Sequence, residues 1–180
     1  MARLGASRPR PLVGLNTGAG GRWRFKAWGE AESAELARRL HDRDGADVLV
    51  MGGPAEAQRN GKMVAAAARP GVVAAATDLS LQRFAALVSR CDVLVTSDSL
   101  ALHLGLAFGM PVIAFFGPTS DAEIDLYGLG EKLVTPLPCR CCYLSDCDVR
   151  PHCMASIGVD RMHEATRRWV ANGPGKEGGR

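Results

Sequence analysis

The chain has 180 residues, 47% hydrophobic and 23% charged, with a formal net charge of +3. That length suits one domain that buries most of its unfolded surface. The charge is too small to argue for nucleic acid, and the basic residues at the ends (Arg3, Arg8, Arg10; Arg167, Arg168, Lys176, Arg180) read as solvated tails.

No apolar run approaches a membrane span. The basic start MARLGASRPRP lacks the apolar segment of a secretory signal. A cytoplasmic, reducing setting is therefore expected, with thiols or metal ligands ahead of disulfides.

In chain order, residues 1–11 read as a disordered basic tail or interdomain linker, 12–171 as one domain, and 172–180 as a flexible tail. Short apolar runs bounded by Gly, Pro or Asp recur at Leu12–Asn16, Asp47–Met51, Val72–Ala76, Val93–Thr96, Val112–Phe116 and, more weakly, Lys132–Thr135. Continuous apolar runs of this length suit parallel strands covered on both faces. Between them, 30–43 places Ala34, Leu36, Ala37 and Leu40 at helical spacing, and 55–67 is Ala-rich. Ser80 caps a helix through Ser89, whose stripe is Leu81, Phe84, Ala85, Leu87 and Val88. Asp98 or Ser99 caps the next helix, which ends at Phe108 before Gly109. A last helix runs from about Val159 to Val170. Alternating strands and helices at these spacings predict an α/β fold, a doubly wound, mostly parallel Rossmann-like sheet. Only 136–154 breaks the pattern: an irregular loop that carries every cysteine except Cys91.

The candidate chemistry lies at strand C-termini, the edge where open α/β sheets bind ligands. The first strand feeds Thr17-Gly18-Ala19-Gly20-Gly21, and Lys26 stands where the next helix is expected to begin. Such a turn lets backbone N–H groups approach an anion, and the lysine supplies a point charge. A plain surface loop is the equal alternative. The glycines make no dinucleotide fingerprint, since Trp23 takes the third glycine position and the second strand ends in Met51-Gly52-Gly53 without an acid, which disfavours a nicotinamide enzyme. Glu56 follows that turn, either as a hydrogen-bond acceptor for a ribose or base, or as a first-turn acid favoured by the helix dipole. Ser97-Asp98-Ser99 with His103 five residues beyond Asp98 forms a polar cluster at a helix N-terminus, a natural anion site. Cys139-x2-Cys142-x4-Cys147-x5-Cys153 has metal-like spacing, so a structural zinc, buried free thiols and an oxidatively formed disulfide all remain open.

These stretches together resemble glycosyltransferase family nine, the lipopolysaccharide heptosyltransferases. The resemblance is carried by Gly18-Ala-Gly-Gly-Arg with Lys26-Ala27-Trp28, Gly52-Gly53-Pro54-Ala55-Glu56, Asp78-Leu79-Ser80-Leu81, Thr96-Ser97-Asp98-Ser99 with His103, Gly109-Met110-Pro111, and Phe116-Gly117-Pro118-Thr119. It implies the C-terminal, nucleotide-sugar-binding half of a GT-B enzyme, inverting and with no metal required for catalysis. Lys26 then contacts the donor diphosphate and shares the catalytic role with His103. Glu56 contacts the nucleoside, Leu79 packs near the base, Thr17 and Gly18 belong to the phosphate loop, and Asp98, Ser99 and His103 line the diphosphate and sugar. The implied partner is a nucleoside-diphosphate sugar, ADP-heptose first, with no nucleic acid and at most peripheral contact with the inner face of the cytoplasmic membrane. The acceptor domain is expected N-terminal to this region, so the chain alone is expected to bind nucleotide and transfer sugar poorly. Leu100 stands where many relatives have glycine, which narrows backbone access and leaves the donor sugar open. The competing readings are a non-catalytic, metal-stapled binding module and another GT-B-like enzyme, such as a sugar epimerase.

Overall fold

The computed structural model describes residues 9–172. Six strands, β1 (Leu12–Asn16), β2 (Asp47–Met51), β3 (Val72–Ala74), β4 (Val93–Ser97), β5 (Val112–Phe116) and β6 (Gly130–Val134), form one all-parallel sheet in the order β3-β2-β1-β4-β5-β6. The helices are α1 (Glu30–Asp44), α2 (Ala57–Ala67), α3 (Leu81–Val88), α4 (Leu100–Ala107) and α5 (Val159–Asn172). The expected doubly wound α/β class is therefore what is found. A 3-10 helix, Cys153–Ser156, begins at the end of 136–154, which is otherwise irregular.

Two hydrophobic cores flank the sheet because alternate side chains of buried parallel strands face opposite ways. Val13, Leu15, Val93, Val95, Ile113 and Phe115 meet α1, α2 and α5 through Leu36, Leu40, Met63 and Met162. On the other face Leu94, Val112, Ala114 and Phe116 meet α3 and α4 through Val88, Ala101 and Leu102. Trp28 anchors the first core. It is 2% exposed, lies 6.3 Å from Phe115 between ring centroids, and donates from Nε1 to the Ile157 carbonyl at 2.8 Å.

Two expected helix ends are observed. Ser80 accepts from the Arg83 N–H, and α4 stops where Gly109 takes φ 63°, a left-handed value that costs glycine least. Across the chain, α5 is fastened to α1 by His163–Asp44 at 2.6 Å and Arg39–Asp160 at 2.5 Å.

The domain ends differ in part from expectation. Arg10, expected in a solvated tail, donates to the Gly45 and His41 carbonyls at the C-terminal end of α1, where unpaired carbonyls attract a cation. The rest of the expected tails, 1–8 and 173–180, lies outside the described residues.

Candidate functional site

The strand order reverses direction between β1 and β4, so their following segments leave toward opposite faces and open a crevice at the C-terminal edge. A cavity of about 430 Å³ fills that crevice. Asn16 and Gly18 wall it after β1, Gly52 and Glu56 after β2, Thr77 and Leu79 after β3, and Ser99 and Leu100 after β4. Leu81 and Phe84 of α3 complete an apolar side. One wall is thus suited to a flat, weakly polar group and the opposite edge to hydrogen bonding, the mixture expected of a small-molecule pocket.

The segment after β1 sets the polar edge. Lys26 does not begin α1; it ends a 3-10 helix, Gly21–Lys26, and α1 starts four residues later at Glu30. Its Nζ lies 2.7 Å from Asp98 Oδ2 and 3.3 Å from the Asp98 carbonyl, and 4.9 Å from the centroid of the Trp23 ring. Lys26 is only 8% exposed, so its charge is held by Asp98 and the indole face rather than by bulk water. Asp98 is consequently engaged as an ion-pair partner. Ser99 occupies the N-cap position of α4 but makes no side-chain cap. Its Oγ instead meets Thr96 Oγ1 at 2.9 Å and Asn16 Nδ2 at 3.2 Å. The expected cap is therefore not formed, because the hydroxyl is drawn toward the strands, and the first turn of α4 retains N–H groups without a side-chain acceptor. His103 is exposed one turn beyond Ser99, outside the residues lining the cavity.

Glu56 is 9% exposed and accepts from the Gly53 N–H at 2.8 Å through Oε2. Its carboxylate packs flat against Gly18: a Cβ built there would fall 2.3 Å from Cδ and 2.4 Å from Oε1. The glycine is thus required by a close approach of side chain to backbone. Leu79 lines the cavity as expected. Thr17 does not: its hydroxyl turns toward α2, 2.6 Å from Asn60 Oδ1 and 3.3 Å from the Met51 carbonyl, so it supports the loop from behind.

Asn16 went unpredicted. It is 4% exposed, and its Nδ2 donates to the Gly18 carbonyl and to Thr96 and Ser99 hydroxyls, joining the segments after β1 and β4. A polar residue closing an otherwise apolar strand was the available signal.

The cysteine-rich loop braces the outside of the same segment. Arg24 pairs with Asp146 at 2.5 Å, and Phe25 meets His152 edge-on at 6.0 Å between centroids. All six cysteines are free thiols. Burial pushes the Cys153 thiol up, and the neighbouring Cys142, Cys147 and Cys139 add to that shift. Yet among the described residues no three His, Cys, Asp or Glu side chains are placed to hold a metal ion. Of the four candidate ligands, Cys139 and Cys142 are exposed, Cys147 is half-buried and Cys153 is buried.

The family model described as glycosyltransferase family 9 (heptosyltransferase) matches residues 2–146. Lipopolysaccharide heptosyltransferase 1 of Pseudomonas aeruginosa is 31% identical over 130 residues, covering 72% of this chain and 36% of that protein. The chain spans about a third of the length of the curated relatives it matches. Among solved structures, the ADP-heptose lipopolysaccharide heptosyltransferase II of Escherichia coli superimposes with a TM-score of 0.73 at 24% identity, over 92% of this chain and 48% of that one. The Escherichia coli heptosyltransferase WaaC with ADP superimposes with a TM-score of 0.60 at 19% identity, over 86% of this chain and 42% of that one. At these identities the likeness shows a shared fold.

Proposed function

The chain belongs to glycosyltransferase family 9, and from that premise we propose that it is the donor-binding part of an inverting glycosyltransferase that uses a nucleoside-diphosphate sugar, ADP-heptose first, to extend a lipopolysaccharide-core acceptor. In this reading the base lies against Leu79, Leu81 and Phe84, and Glu56 accepts hydrogen bonds from the ribose. The diphosphate lies between Lys26, Ser99 and the uncapped first turn of α4. Asp98 and His103 face the sugar. Lys26 stabilises the negative charge that grows on the departing diphosphate, an electrostatic contribution that needs no reorganisation when the cation is already fixed. The acceptor hydroxyl and its general base come from a partner domain. The reaction belongs on the cytoplasmic side, at most peripherally at the inner face of the membrane.

The observation that carries this reading is the ion pair between buried Lys26 and half-buried Asp98, which stands outside the residues lining the cavity but next to Ser99, the lining residue at the uncapped start of α4. A cation held there has anion-binding N–H groups beside it. Similarity to an ADP-heptose heptosyltransferase and to a heptosyltransferase solved with ADP favours an adenine nucleotide. Calorimetric titration of the chain with ADP, UDP and GDP tests the reading. Binding of ADP ahead of the other two is expected; no binding by any of them at millimolar concentration overturns it.

A structural zinc at Cys139, Cys142, Cys147 and Cys153 is a separate proposal, supported by spacing and by the electrostatic nearness of these thiols to Cys153. It requires the loop to draw its thiols together. Elemental analysis of the purified chain decides it: stoichiometric metal supports the site, and its absence removes it.

A further inference from the structure

The segment from Thr17 to Trp28 leaves the sheet after β1 and returns to the core at Trp28, carrying Lys26 near its end. Glycines at 18, 20 and 21 give it little intrinsic stiffness. Both of its ends are nonetheless gripped by one side chain. Arg59, on the first turn of α2, donates from Nη1 to the Thr17 carbonyl at 2.7 Å and from Nη2 to the Trp28 carbonyl. Its Nε lies 3.8 Å from Glu30 Oε1, at the start of α1. The guanidinium thus spans the entry and exit of the loop, and its side chain is only 16% exposed. Burial lowers its pKa, while Glu30 and then Glu56 oppose that shift; an arginine nevertheless stays charged.

We infer that Arg59 is the positioning residue of the diphosphate loop: it pins the two ends of 17–28 so that Lys26 is presented at Asp98 and the α4 N-terminus before any ligand arrives. This rests on the donor-site reading above for its functional consequence and on geometry alone for its structural one. Only a planar fork with several fixed donors can serve both carbonyls at once; a lysine offers one compact charge and reaches one of them well. Without the fork, the loop samples conformations that withdraw Lys26, and bound diphosphate must then order it, lowering affinity.

The test uses the full chain with Arg59→Lys and Arg59→Met, and two readouts. In the first, ADP and adenosine are titrated by calorimetry. Arg59→Lys is expected to raise the ADP dissociation constant about tenfold or more while leaving adenosine within about twofold, because adenosine lacks the group that Lys26 meets. Equal losses for both ligands, or an ADP affinity equal to the wild type, overturn the inference. The second readout is amide hydrogen exchange of the nucleotide-free chain. The amides of 18–27 should exchange faster in Arg59→Lys while those of β1 and β2 are unchanged; unaltered loop exchange, or acceleration throughout the sheet, overturns it. A wild-type chain that ignores ADP defeats the donor-site reading, yet the exchange measurement still decides whether Arg59 pins the loop.

Discussion

Gly18→Ala isolates the contact between the phosphate loop and Glu56. The glycine has no left-handed φ, so alanine meets no backbone strain there and the whole effect is steric. The new methyl would lie 2.3 Å from Glu56 Cδ, 2.4 Å from Oε1 and 2.5 Å from Cγ. Carbon atoms pack comfortably at about 3.5–4.0 Å, so the carboxylate must withdraw by roughly 1 Å or more. Withdrawal breaks the 2.8 Å hydrogen bond from the Gly53 N–H and removes the acceptor from the cavity wall. A hydrogen bond to a charged group is worth about 1.5–3 kcal/mol, which corresponds to roughly a 10- to 150-fold weaker ADP affinity. The assay is a calorimetric cycle of wild type, Gly18→Ala, Glu56→Ala and the double variant. Because the methyl acts only by displacing Glu56, the double variant should bind no more weakly than Glu56→Ala alone. Gly18→Ala binding ADP like the wild type, or losses that add in full, would refute the reasoning.

Three further outcomes follow from other parts of the fold. Trp28→Ala removes a 2% exposed indole and orphans the Ile157 carbonyl, so urea unfolding should show a loss of about 3–5 kcal/mol; less than 1 kcal/mol would contradict its place as the anchor of the core. Hydrogen bonds from Arg39 and then Arg38 hold the Glu35 carboxyl below its ordinary value of 4.5, so its stabilising effect is present above that value and fades as pH falls through the lower folded one. Glu35→Gln should therefore cost about 0.3–1 kcal/mol at neutral pH, with the gap closing below about pH 4; a gap that persists in acid contradicts the ion pairs. Since burial raises the Cys153 thiol, iodoacetamide at pH 8 should label exposed Cys139 and Cys142 first and Cys153 far more slowly, read by peptide mass spectrometry; early labelling of Cys153 contradicts the packing of the loop.

Much of this architecture is legible in the sequence for local reasons. Continuous apolar runs closed by Gly, Pro or Asp mark strands such as Val112–Phe116, and Ser80 and Gly109 punctuate helices by their own backbone chemistry. Strand C-termini then locate the cavity, so Gly18, Glu56, Leu79 and Ser99 could be named as its lining. What escapes local reading depends on partners distant in the chain. Lys26 pairs with Asp98 72 residues away, Asn16 bridges to Thr96 and Ser99 80 and 83 residues away, and Thr17 turns its back to the cavity because Asn60 awaits it. Ser99 fails to cap α4 for the same reason: strand hydroxyls and Asn16 offer it partners that no single-helix rule includes. The cysteine spacing left a zinc, free thiols and a disulfide open, and the loop's packing on Arg24 and Phe25 depends on partners outside that spacing.

The account turns on whether this edge of the sheet grips a diphosphate through Lys26. The most direct measurement compares ADP with adenosine on the wild-type chain and on Lys26→Met. The account predicts that ADP binds the wild type at least tenfold more tightly than adenosine, about 1.4 kcal/mol, and that Lys26→Met erases most of that difference without altering the affinity for adenosine. Equal affinities for ADP and adenosine on the wild-type chain, or a preference that survives loss of the lysine, would contradict it.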